Sequence, residues 1–151
     1  MLGPKPQRAH LQAIDTITPL ARGCSMLLAG PQRDPQSATL LRTLCHQAGT
    51  PVHVVYGTVG AATEALQARV EELREAGVMP QSTVVAADAG APLGEQYAAL
   101  CAAISIGEGI RDAGGHALVA LDSMECVVRL WDNVTAEAGR AVGALNTFRK
   151  R

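Results

Sequence analysis

The chain is poor in aromatic side chains: they make up 3% of its 151 residues, as one Trp, two Tyr and one Phe. A core must therefore be built from Ala, Val, Leu and Ile, which suits helices packed on a parallel sheet. It also lacks an excess of either charge, with 13 Lys and Arg against 14 Asp and Glu. Nucleic acid and acidic membranes need a basic excess that competes with salt, so neither is expected as a direct partner. The basic end Arg149, Lys150 and Arg151 reads as a solvated tail. Cys24, Cys45, Cys101 and Cys126 stand far apart, forming no CxxC pair and no ligand cluster with His10, His46, His53 and His116. That pattern predicts no metal site and no disulfide framework, but buried small apolar side chains in a reducing compartment. No apolar run is long enough to span a bilayer, and MLGPKPQRAH lacks the apolar stretch of a secretory signal. A soluble, intracellular protein without membrane insertion is the expectation.

What the chain does have is a rhythm of four short apolar runs: Met26 to Ala29, Val52 to Tyr56, Thr83 to Ala87 and Ala117 to Leu121. None alternates with polar residues, as befits strands covered on both faces. Helical stretches lie between them. Residues 61 to 76 put Ala62, Leu66, Val70 and Leu73 on one face, with Glu64, Arg69, Glu72 and Glu75 pointing elsewhere and Gly77 as a stop. Residues 38 to 48 and 94 to 112 supply the other crossovers, ended by Gly49 and Pro51 and by Gly114 and Gly115. The βαβαβαβ order predicts parallel strands with right-handed connections. After Asp122, SMECVVRLWDN and TAEAGRAVGALNTFRKR read as two further short helices, the second weakened by Gly139 and Gly143. No linker divides the chain, so 1–151 is expected to form one domain.

Between the first run and its helix lies GPQRDPQS, residues 30 to 37. A phosphate-binding loop of the form G-x-x-x-x-G-K-[ST] wraps phosphates with backbone N–H groups, neutralises them with Lys and holds magnesium through the hydroxyl. On that frame Gly30 and Ser37 are retained, whereas Pro35 replaces the second glycine and Gln36 the lysine. Proline removes a donor and fixes φ near −65°. A neutral Gln forfeits a charge-assisted contact worth about 1.5 to 3 kcal/mol. The run ALVAL before Asp122 has the form of the second nucleotide-site strand, whose terminal Asp holds magnesium through water.

Over residues 11 to about 130 the sequence resembles the nucleotide-binding domain of the alpha subunit of F-type ATP synthase. The resemblance is carried by AIDTITPLARG at 13 to 23, the altered loop, VVYGTVG at 54 to 60, LREAGVMPQSTVVAA at 73 to 87 and IGEGIRDAGGHALVALDSM at 106 to 124. It implies a P-loop NTPase fold of the RecA-like type, a three-layer α/β/α with a mostly parallel sheet, here truncated. Residues 1–10 would be an N-terminal extension and 123–151 a divergent tail. Gly30, Ser37 and Asp122 would be the inactive remnant of the nucleotide site, with no catalytic residue, cofactor or metal retained. Ala61 stands where family members place the residue that orients water, and Ser123 replaces the second of two aspartates.

The resemblance also implies a fifth strand between the fourth and the first. A chain without it would close the gap by pairing strands one and four, by inserting 141 to 148 as a strand, or with a partner's chain. Glu108, Arg111 and Asp112 match family positions and are expected to form a charge network at the Gly114 turn, with His116 in a local structural role. Trp131 is read as either a core residue or a partner anchor. The functional expectation is a non-catalytic, alpha-like structural or accessory subunit in a larger assembly of other protein subunits, with nucleotide not expected to bind. The alternative is a weak nucleotide sensor or an assembly factor acting on ATP synthase subunits. A mitochondrial location follows from the resemblance alone, with the plastid as alternative.

Overall fold

The computed structural model describes residues 12–17, 19–30 and 33–149, with side chains described at 14–16, 19–30 and 35–141. Continuous apolar and β-branched sequence forms three strands, β1 (Val52–Ala61), β2 (Ser82–Asp88) and β3 (His116–Asp122). Helices α1 (Gln12–Ile17), α2 (Arg33–Cys45), α3 (Thr63–Glu75), α4 (Leu93–Asp112) and α5 (Glu125–Arg149) complete the described elements, with a short 3-10 turn at Met79–Gln81. The strands are all parallel in the order β2-β1-β3. Successive crossovers therefore run in opposite directions across the sheet and place their helices on opposite faces.

One face meets α2 and α3, where Leu41, Leu44 and Leu73 pack on Val54, Tyr56 and Ala120. The other meets α4 and the start of α5, where Leu100 and Cys126 pack on Val59 and Ala87. This is the expected three-layer α/β/α arrangement, and α5 extends from it against α4.

Several expectations are corrected. Met26 to Ala29 is not a strand, so the described sheet has three strands and not four. An apolar run becomes a strand only where a ladder partner satisfies its backbone, and 26–29 joins no ladder of the described sheet. Two of the closures foreseen are not made: β3 does not pair with 26–29, and residues 141 to 148 lie within helix α5. That helix is continuous across Gly139 and Gly143, so the two short helices expected after Asp122 are one.

Helix α2 begins at Arg33 rather than near 38, because a proline in the first turn gives up an N–H that has no intrahelical partner anyway. At the end of α4 the turn is fixed by backbone bonds, Gly114 N–H to Arg111 and Gly115 N–H to Ile110, with Gly114 at φ 84°. Beside this turn Arg111 pairs with Asp112 at 2.8 Å on the surface, both side chains exposed, with the charge of Glu108 also acting on the guanidinium. His116 opens β3 and is exposed. The cysteines are free but not uniformly buried: Cys126 is buried, Cys45 and Cys101 are half-buried, and Cys24 is exposed.

Candidate functional site

Asp122 ends β3, and the parallel register sets it beside Thr58 of β1. Strand alternation turns Tyr56, Thr58, Ala120 and Asp122 toward α2 and α3. At this depth Asp122 is 4% exposed. A buried carboxylate is costly unless it is paired and hydrogen-bonded. Three groups meet it: the Ser37 hydroxyl donates to Oδ1 at 2.8 Å, the Tyr56 phenol donates to Oδ2 at 2.9 Å, and the Arg69 guanidinium donates to Oδ2 at 2.5 Å. Arg69 also lies 3.4 Å from the Tyr56 hydroxyl and 3.5 Å from Thr58 Oγ1. Burial, followed by the adjacent Asp122 charge, pushes the Tyr56 phenol up to about 12, so it stays a proton donor throughout the neutral range.

Two of the three predicted site residues are thus brought together, Ser37 and Asp122, from 85 positions apart. Gly30 is not part of this network. It ends an irregular segment, and a Cβ placed on it would fall 2.1 Å from Gln36 Nε2, so the Gln36 amide lies directly against it. The neighbouring cavity, about 460 Å³, is walled by Leu27, Leu28, Gly30, Pro35 and Gln36 among others. Neither Ser37 nor Asp122 lines it, and none of the described side chains that do is cationic. Ala61 ends β1 opposite Asp88 and offers only a methyl group.

Arg69, expected to point away from the apolar face of α3, instead reaches Asp122. The signal was there: position 69 follows Leu66 by three and precedes Leu73 by four, which puts it on their face. Its head group reaches Asp122 while its stem crosses that face.

A family model for the ATP synthase alpha/beta family, nucleotide-binding domain, matches residues 10–146. The chain belongs to this family. Among curated relatives it is 34% identical over 125 residues to ATP synthase subunit alpha of Parabacteroides distasonis, and 38% identical over 120 residues to ATP synthase subunit alpha of Desulfotalea psychrophila. Each match covers 80% of this chain and 24% of the relative, so the chain spans about a quarter of the length of those subunits.

Membership of the ATP synthase alpha/beta family implies a magnesium nucleotide, and the residues present do not fit one. Phosphate recognition by a glycine-rich loop needs an arc of free N–H groups ahead of the helix. Here α2 is already wound at Arg33, only positions 31 and 32 separate it from Gly30, and Pro35 has no N–H to offer. Lysine occurs in this chain only at positions 5 and 150. The metal side of the site is also satisfied internally, because the Ser37 hydroxyl and both oxygens of Asp122 have protein partners. Among the described residues, no group of three or more His, Cys, Asp or Glu is placed to hold a metal, and no helix is long and apolar enough to cross a membrane.

Proposed function

We propose that this chain is a non-catalytic ATP synthase alpha-like module that serves as a structural or accessory subunit of a larger protein assembly. The observation that carries the reading is the phosphate loop, where Pro35 lies inside the first turn of α2 and the Gln36 amide packs against Gly30. A loop so built lacks the lysine charge and one backbone donor that phosphate binding uses. Loss of a charge-assisted contact alone corresponds to roughly tenfold or more in affinity. Ala61 adds that the last residue of β1 has no acid or amide of its own with which to orient water.

The surface supports an assembly. Met124, just before α5, is 45% exposed, and Val128, Trp131 and Val134 project from α5 at 60%, 69% and 56% exposure. Apolar groups recurring at this spacing on one helix mark a contact face more often than an accident of surface composition. Isothermal calorimetry with millimolar magnesium ATP or ADP is expected to give no saturable heat, and a phosphate-release assay to stay at background. Saturable binding or release proportional to protein would overturn the non-catalytic reading. Native mass spectrometry of the protein recovered from its own cells is expected to find it bound to other subunits; a lone monomer would overturn the accessory role.

A further inference from the structure

We propose that Arg69 takes the place of a divalent cation in this site: its guanidinium is the built-in counter-ion of Asp122 and closes that carboxylate to metal. The argument begins with what a buried carboxylate requires. Asp122 is 4% exposed, and a carboxylate at that depth calls for an opposite charge and hydrogen-bond donors to offset its lost hydration. In a metal site a divalent cation supplies that charge and takes carboxylate and hydroxyl oxygens as direct or water-bridged ligands. Here the charge comes from α3 instead. Arg69 Nη1 is 2.5 Å from Oδ2, and the side chains are 17% and 5% exposed, so solvent does little to screen the pair.

The remaining capacity of the carboxylate is taken by its neighbours. Tyr56 donates to the oxygen that Arg69 holds, and Ser37 directs its proton at the other. A magnesium ion prefers near-octahedral oxygen ligation at about 2.0–2.1 Å. Reaching Asp122 would require it to displace Arg69, or to sit beside a fixed positive charge on the same carboxylate. It would also have to turn the Ser37 hydroxyl from donor to ligand. The lock joins α2, α3, β1 and β3 at one carboxylate.

This inference deepens the reading of the site as non-catalytic, but its test uses metal alone. Mn²⁺ is titrated into the full chain and followed by the loss of its free-ion paramagnetic resonance signal. The unaltered chain and Asp122→Asn are expected to take up Mn²⁺ equally weakly. Arg69→Met is expected to bind Mn²⁺ at least tenfold more tightly than the unaltered chain, and the further change Asp122→Asn to abolish that gain. Uptake by the unaltered chain that Asp122→Asn removes would overturn the proposal, as would a folded Arg69→Met variant with no gain.

Where Arg69→Met does not fold, thermal unfolding of Asp122→Asn decides. A counter-ion pair predicts a melting midpoint lower by roughly 5 to 10 °C, or failure to fold, because Arg69 is left buried without its partner. An unchanged or raised midpoint would overturn the pairing. Nucleotide binding without Mn²⁺ uptake would sink the function proposed above and leave this inference standing; Asp122-dependent Mn²⁺ uptake without nucleotide binding would do the reverse.

Discussion

The two faces of the sheet solve the packing problem by different means. Toward α4 the contact is made by removing side chains: Gly57 of β1 lies against Ala103 and Leu121, and Gly107 of α4 lies against Val119 of β3. Toward α2 and α3 the contact is made by polar side chains that satisfy one another, Ser37, Tyr56, Arg69 and Asp122. The first face is specified by shape and the second by charge and hydrogen bonding. The departures that argue against nucleotide binding, Pro35, Gln36 and the Arg69 pairing, belong to α2, α3 and the loop before them, all on the second face. The α4 face is a plain packing frame, which would let the fold persist in a module of the non-catalytic kind proposed above.

The shape-specified face should be the less forgiving of added volume. A Cβ on Gly107 would lie 2.3 Å from Val119 Cγ2, closer than side chains tolerate, and Val119 is held in the sheet. Gly107→Val is expected to cost about 3 kcal/mol through overpacking, more than the helix-propensity gain of under about 1 kcal/mol can offset. A urea midpoint shifted well below that of the unaltered chain would bear this out. A variant of equal stability would show that α4 can move away from β3 and would erase the contrast between the faces.

On the polar face single deletions should cost less, because Asp122 keeps its other partners. Tyr56→Phe removes one donor from a buried carboxylate and is expected to cost about 2 kcal/mol at neutral pH, and Ser37→Ala about 1 kcal/mol. The tyrosine also sets a pH signature. Its folded value of about 12 lies above the ordinary 10, so its contribution is full below pH 10 and is lost as pH rises through 12. In a Tyr97→Phe background, which leaves Tyr56 as the single tyrosine, phenolate absorbance should appear late and together with unfolding. Ionisation near pH 10 in a chain that is still folded would mean that Tyr56 is neither buried nor paired.

How far the sequence disclosed this arrangement depended on whether a residue's role was local. The runs that became β1, β2 and β3 were legible because continuous apolar sequence is what a doubly covered parallel strand requires. Met26 to Ala29 has the same texture and is unpaired, with Leu27 82% exposed, because pairing is a property of the neighbour and not of the run. Pro35 read as part of a loop although it lies in a helix, since the first turn makes no demand on its missing N–H. Ser37 and Asp122 were found through a motif, and the structure joins them. Arg69 belonged to no motif. Its spacing put it on the buried face of α3, but a charge there normally reads as one that reaches out to solvent, and only the register of β3 beside β1 reveals the carboxylate it meets.

The smallest effect on stability is expected outside both faces, on α5. Trp131 is the chain's single tryptophan and is 69% exposed, which removes the core reading left open by the sequence. Truncation of an exposed side chain away from a cap or a buried pair changes stability by no more than about 0.5 kcal/mol. Trp131→Ala should therefore leave the unfolding midpoint of the isolated chain nearly unchanged. The tryptophan emission of the unaltered chain should be that of a water-exposed indole and readily quenched by acrylamide. If α5 is the contact face of an assembly, the same emission should shift to the blue and become protected when the partner is added, and Trp131→Ala should weaken that association by tenfold or more, the effect of losing about 1.4 kcal/mol or more at an aromatic anchor. Blue, protected emission from the isolated monomer would instead place Trp131 against its own chain and remove α5 as the contrasting, partner-directed surface.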